Sequence, residues 1–284
     1  MFNSLVQFVR HYLLAMQFFT RIPVTGRLAD WVGFSPAMLR ASGAHFPGVG
    51  WVVGALVAGL TAALLNYLPG GGYAPLVAAV WGTGFGVLIT GAFHEDGLAD
   101  VFDGLGGSPE RERALVIMKD SRVGAFGAIS LVLVLLAKVS LLALLGSVSS
   151  VLMCSTLFLA HVVSRTWPLL LIRFMAHVGD VAGSKSKPLA DHISGKGLVA
   201  AFIWCFMALA LAGYAQVAIN FIVEDDETLL LFQSLLAALA ASGLAFLLMW
   251  RWFAKRLQGY TGDCLGATQQ LCELAFYLGL ALSL

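Results

Sequence analysis

The chain has 284 residues, 59% of them hydrophobic and 12% charged, with a mean hydropathy of +0.86. A soluble domain carries about 25% charged residues, so a single water-facing globule is excluded and lipid is the expected solvent. The formal net charge of +1 is no electrostatic footprint for nucleic acid.

In chain order, MFNSLVQFVRHYLLAMQFFTRIP comes first. It lacks early positive charge, and Arg10 and His11 interrupt its apolar run, so it is read as an amphipathic interfacial helix rather than a signal peptide. Spanning a bilayer takes roughly 20 apolar residues. Runs of that kind fall at about 46–68, 74–93, 124–145, 148–172, 198–222, 229–250 and 265–284. The predicted fold is all-α: a polytopic membrane helix bundle of about seven transmembrane helices plus the N-terminal interfacial helix. Residues 1–284 form a single integral membrane domain, with 1–45 an N-terminal cytoplasmic or interfacial segment and 94–123 a cytoplasmic acidic catalytic segment. Cys154, Cys205, Cys264 and Cys272 show no C-x-x-C spacing, which points to neither a disulfide framework nor a zinc site.

Charge tests the topology. With 1–45 inside, the inner loops 94–123, 173–197 and 251–264 and the N-terminal segment hold 15 of the 17 Lys and Arg residues. The outer loops 69–73, 146–147 and 223–228 hold none, and the last reads VEDDET. The two exceptions, Lys138 and Arg165, lie inside spans. This asymmetry satisfies the positive-inside rule and places the C-terminus outside. The long inner loops put function on the cytoplasmic face.

HEDGLADVFDGLGG, His94 to Gly107, carries that function. Asp96, Asp100 and Asp103 are spaced i, i+4, i+7, one face of a helix. Two carboxylates about 6 Å apart repel by roughly 3 kcal/mol at an effective dielectric near 20, a cost that a cation offsets. Mg²⁺ takes one or two carboxylates and then substrate phosphates, so the segment reads as a divalent-metal cradle. Helix-dipole compensation would explain Asp96 alone, because Asp100 and Asp103 lie towards the helix's negative end. His94 is a pocket candidate, although a lone histidine is more often a packing residue.

Ser108 as N-cap, Pro109 at N1 and Glu110 in the first turn predict the next helix, with Lys119 near its end. In Lys119-Asp120-Ser121-Arg122, Asp120 is expected in the metal shell and Arg122 as a fork to phosphate. GYTGDCLGA, Gly259 to Ala267, brings Asp263 to the same face as a metal or substrate contact. Glu273 and Arg165 lie within spans and must face the bundle or a polar cavity; pairing with each other would satisfy both. Arg21 adds a cation near the inner interface.

FFTRIPV, HFPGVGWVVG from His45, HEDGLADVFDG from His94, KDSRVGAFG from Lys119 and TGDCLGA from Thr261 resemble the cobalamin synthase family, the adenosylcobinamide-GDP ribazoletransferases, over nearly the whole chain. The resemblance implies a multi-pass enzyme of the bacterial inner (cytoplasmic) membrane, its active site facing the cytoplasm. It would use Mg²⁺ to join adenosylcobinamide-GDP to α-ribazole or α-ribazole 5′-phosphate, releasing GMP at the final assembly stage of adenosylcobalamin. The acidic motif is also similar to that of the CDP-alcohol phosphotransferases.

Mg²⁺ is then expected on Asp96, Asp100, Asp103 and Asp120, with Asp263 nearby. Arg122 and Lys119 would clamp the diphosphate, and Asp103 would take the proton of the attacking hydroxyl. Arg21, His94, Arg165 and Asp263 are the substrate-binding candidates. The expected partners are the two substrates and the lipid bilayer, with no nucleic acid and oligomerisation left open. A CDP-alcohol-type phospholipid synthase and a secondary transporter are the rival readings. The first would release CMP, and the second would drive uptake with no nucleotide product. No role is assigned to HVGDVAGSKSKPLADHISGKG, residues 177–197.

Overall fold

The computed structural model describes residues 2–179, 192–223 and 228–284, and side chains at 4–179, 192–215 and 232–284. Residues 180–191 of the unassigned loop and the acids of VEDDET at 224–227 lie outside the described residues.

Helix α1 (Phe2–Phe19) buries Leu14, Ala15, Met16 and Phe19. It packs on α3 (Pro36–Ser42) and α4 (Phe46–Tyr67), with α2 (Gly26–Val32) alongside. The expected N-terminal helix is therefore present, and its C-terminal half is docked on the bundle. Ser35 caps α3 by accepting from the Met38 N–H at 3.1 Å, with Pro36 opening the helix where a missing N–H costs nothing.

Helix α5 (Ala74–Thr90) is followed at a right angle by α6 (Phe93–Gly107), which carries the acids. At the elbow Gly91 and Ala92 are both left-handed, with φ of 66° and 58°. Glycine takes that conformation freely, whereas alanine adopts it at a cost of about 1–3 kcal/mol. After α6 come α7 (Arg111–Ile117), α8 (Ala125–Val148), α9 (Ser150–Thr166) and α10 (Pro168–Phe174). The last three are α11 (Gly195–Val223), α12 (Thr228–Arg256) and α13 (Gly262–Ala281).

The start of α7 departs from expectation. Ser108 accepts from the Glu110 N–H at 3.1 Å in a tight turn, and the helix begins at Arg111 with Glu110 as its N-cap. The local bond two residues on outcompetes the helical one.

The expected all-α membrane bundle is what the structure has among the described residues. Among the described residues, five segments are long and apolar enough to cross a membrane: Pro36–Tyr67, Ala125–Val148, Ser150–Phe174, Gly195–Ala215 and Phe232–Arg256. The α5–α6 pair would make a sixth as a broken span. With 17 residues and about 1.5 Å of rise each, α5 falls short of the roughly 30 Å hydrocarbon core. Helix α13 is too polar to count, carrying Asp263, Gln269, Gln270 and Glu273. It is instead packed inside the bundle, against α12, α6, α9 and α8.

The polar groups of α13 are paired there. Glu273 accepts from Lys138 Nζ at 2.6 Å, Gln269 Nε2 at 2.6 Å and Tyr277 Oη at 2.8 Å. The Glu273–Arg165 pair suggested by the sequence is replaced by this one. Arg165 turns back on its own helix, donating through Nη1 to the His161 carbonyl at 2.8 Å, with His161 Nδ1 at 3.0 Å.

Candidate functional site

The acidic face of α6 meets the first turn of α13. The two backbones touch because Gly97 and Gly266 have no side chains. A Cβ on Gly97 would lie 2.8 Å from the Asp263 carbonyl oxygen, and one on Gly266 3.1 Å from that of His94. This contact sets Asp263 opposite Asp96 and Asp100. The Asp263 Oδ2 accepts from the Thr261 hydroxyl at 3.2 Å.

The electrostatics follow from that arrangement. The Asp100 carboxyl is pushed up to about 7, first by burial and then by Asp263, Asp96 and Asp103. Burial raises Asp263 as well, against the bond from Thr261. Among the described residues no three His, Cys, Asp or Glu side chains are grouped closely enough to hold a metal ion by themselves. The arrangement therefore lacks an all-protein cage. It does fit Mg²⁺, which completes its octahedron with water and phosphate oxygens, and the mutual repulsion around Asp100 is what a dication relieves. Asp96, Asp100 and Asp263 are the residues that would hold it.

The other two aspartates expected at the metal have different partners. Asp103 is buried, and its carboxylate accepts from the N–H groups of Gly124 at 2.7 Å and Gly127 at 2.8 Å. It thereby caps the start of α8, whose first amides lack helical partners. Both oxygens of Asp103 are thus engaged by amides, which gives the residue a bracing task between the acidic helix and the start of α8. Asp120 is gripped by Arg122 through both oxygens, at 2.9 Å from Nε and 2.5 Å from Nη2. Those bonds hold Asp120 below the usual carboxylate range. The Arg122 fork, expected on phosphate, is thus engaged by Asp120 at the protein surface. Lys119 lies in the same connection, just after α7, and Asp103 ties that connection to the acidic helix through Gly124.

Arg21 lies over the elbow at the start of α6. Its N–H donates to the Ile89 carbonyl at 2.6 Å, and its side chain covers Gly91 so closely that a Cβ there would collide with Nε. His94 and Arg165 are each 1% exposed. They meet across Phe46, with His94 edge-on at 5.6 Å and the Arg165 guanidinium 5.7 Å above the ring. Neither nitrogen of His94, nor Arg165 Nε, has a hydrogen-bond partner among the described residues.

Beside the acids is a cavity of about 90 Å³ lined by Phe18, Phe19, Phe46, Phe93 and His94, with Asp96 and Asp263 at its margin. A larger groove of about 630 Å³, between α4, α9 and α11, is lined by groups such as Leu65, Cys154, Phe158 and Leu211 and by none of the expected site residues. Glu95, Gln270 and Gln269 were missed by sequence reading. Gln270 donates to Glu95 at 3.0 Å and to Gln269 at 3.0 Å, which links the acidic helix to the Glu273–Lys138 pair. The available signal was the run Gln269-Gln270 followed by Glu273 within an apolar stretch.

Comparison with known proteins agrees with the motifs. A chain from Albidiferax ferrireducens named adenosylcobinamide-GDP ribazoletransferase is 70% identical over 278 residues, covering 98% of this chain and 99% of that one. Chains of the same name from Polaromonas naphthalenivorans and Leptothrix cholodnii are 60% and 44% identical. They cover 99% and 97% of this chain, and 100% and 96% of their own lengths. No solved structure matches. A family model described as cobalamin-5-phosphate synthase matches residues 11–281, and the chain belongs to that family.

Proposed function

We propose that the protein is a Mg²⁺-dependent transferase joining adenosylcobinamide-GDP to α-ribazole or its 5′-phosphate at the inner membrane, with its site facing the cytoplasm. The name of its relatives supports the reaction. The observation that carries the chemistry is the carboxylate patch where α6 meets α13, with Asp96, Asp100 and Asp263 facing one another beside a cavity. Orientation rests on the basic residues at the same end. Arg111 Nε donates to the Leu257 carbonyl at 2.7 Å, and Arg256 to those of Leu105 at 3.1 Å and Ser108 at 2.5 Å. These tie α6 and α7 to α12 at the face that the positive-inside rule keeps in the cytoplasm.

The acceptor's hydroxyl oxygen bonds to the phosphorus on the corrinoid side of the diphosphate. The bond from that phosphorus to GMP breaks, and the hydroxyl proton goes to water. Mg²⁺ bound at the patch would supply neutralisation of the diphosphate and of the departing phosphate. Asp96, Asp100 and Asp263 would hold that ion, and Arg21 brings a cation to the same end of α6. Asp103 keeps the 119–124 connection, with Lys119 and Arg122, against the acidic helix.

The test is GMP release by protein reconstituted in liposomes, given adenosylcobinamide-GDP and each acceptor, with Mg²⁺ or with EDTA. Turnover should require the metal. Folded protein that releases no GMP with either acceptor would overturn the assignment, and CMP release from a CDP-activated lipid would replace it with the phospholipid reading.

A further inference from the structure

We propose that the cavity beside the carboxylates is the subsite for the acceptor's base: a flat, largely apolar heteroaromatic ring with one free ring nitrogen, which His94 hydrogen-bonds. The inference rests on the reading above and names the part of the acceptor that this pocket takes.

The walls are aromatic and already arranged to receive a ring. Phe19 and Phe46 stack at 4.2 Å with 23° between planes. Phe93 stands edge-on to Phe19 at 5.9 Å and to His94 at 5.4 Å. Aromatic rings prefer these offset and edge-on neighbours, and a planar guest adds one more. Phe19, Phe46 and His94 are buried and form the floor, while Phe93 and Asp96 are exposed at the rim. A guest therefore enters past the carboxylates of Asp96 and Asp263. At about 90 Å³ the cavity admits one ring of a bicyclic base, leaving the sugar at the mouth beside Asp96 and Asp263, where a hydroxyl must meet phosphorus.

His94 decides the class of base. His94 lines the cavity, and both ring nitrogens of this 1%-exposed histidine are closed off and lack a partner among the described residues. That state costs a buried polar group about 1–3 kcal/mol, and a guest relieves it as the imidazole turns about its Cβ–Cγ bond to meet it. In either neutral tautomer one nitrogen donates and the other accepts, so a guest with a single ring-nitrogen acceptor satisfies the donor. Guanine would bring several donors and acceptors into a wall of Phe, Pro168, Leu169 and Ile172, leaving most of them unpaired. The GDP half is thereby excluded from this pocket, and the benzimidazole-type base of the ribazole is selected.

Protein in nanodiscs, titrated calorimetrically with benzimidazole and with indole, which replaces the free ring nitrogen by C–H, tests the pocket without turnover. Benzimidazole should bind, α-ribazole should compete, and guanosine should not. Leu265→Trp, which fills the cavity, should weaken both ligands at least tenfold. His94→Leu should weaken benzimidazole up to roughly tenfold, the worth of one hydrogen bond, with little change for indole. His94→Gln, which keeps a donor, should recover part of the loss and serves if the leucine variant fails to fold. In the GMP assay Leu265→Trp should raise KM for the acceptor while leaving KM for adenosylcobinamide-GDP near normal. Benzimidazole affinity unchanged by Leu265→Trp, equal losses for benzimidazole and indole in His94→Leu, or displacement by guanosine would overturn the subsite. Base binding that obeys these expectations in a protein releasing no GMP would instead sink the assigned reaction and leave the subsite standing.

Discussion

Asp100 concentrates the tension of the site in one side chain. Its carboxyl, raised to about 7 by burial and three neighbouring acids, binds its proton more tightly in the folded chain than in the unfolded one. In EDTA, stability from this group is complete below about pH 4, declines as pH rises through the interval up to 7, and is lost above it. Thermal melts across that range should show the decline in the wild type and a flatter profile in Asp100→Asn. The same variant should melt higher near neutral pH, because repulsion is gone, while GMP release falls on the order of 100-fold. A variant as active as the wild type would remove Asp100 from the site. The i, i+4, i+7 spacing made these acids legible in the sequence. What Asp103 and Asp120 do was not legible, because their partners are backbone amides of another helix and an arginine two residues away, and neither leaves a trace in side-chain spacing.

At the scale of elements, two glycines seat the acidic helix against α13, and one ion pair joins α13 to α8. Gly97→Ala puts a methyl group 2.8 Å from the Asp263 carbonyl oxygen. The helices must separate, at a cost of about 1–3 kcal/mol, and activity should fall further than stability does. Deeper in the bundle, Lys138 and Glu273 are both buried at 2.6 Å. Glu273→Gln strands a buried ammonium and should destabilise the protein by about 3–5 kcal/mol, whereas replacing both with Met should come much closer to neutral. Denaturant titrations in detergent read the difference, and equal losses in the two variants would show that the pair is not coupled. The apolar runs disclosed nearly every long helix to within a few residues. The right-angled elbow was hidden, because Gly91 alone is weak evidence and Ala92 carries no signal for a left-handed residue. The N-cap at Ser108 failed for a similar reason, since a two-residue turn and a helix start share the same serine.

For the whole molecule, the distribution of basic residues and the position of the site make one statement about sidedness. Val123 is 62% exposed in the connection that Asp103 anchors. With the native cysteines replaced, Val123→Cys should react with an impermeant maleimide in inverted vesicles and stay unlabelled in intact cells. Labelling from outside would invert the topology. Hydropathy located the bundle well: among the described residues five of the expected runs qualify outright as spans and a bent pair makes a sixth. The remaining run, α13, is less apolar than its neighbours. Its Gln and Glu side chains are sheltered by protein, a distinction set by long-range packing.

The cap that Asp103 places on α8 changes how inactivating substitutions should be interpreted. An amide at position 103 keeps one acceptor oxygen but turns an NH₂ group towards an N–H, so the loop ahead of α8 loses its tether. A dead enzyme would then report a wandering loop as readily as a missing ligand. An aspartate scan scored only for lost turnover would rank Asp103 with Asp96, Asp100 and Asp263, though Asp103 works as a rivet on α8.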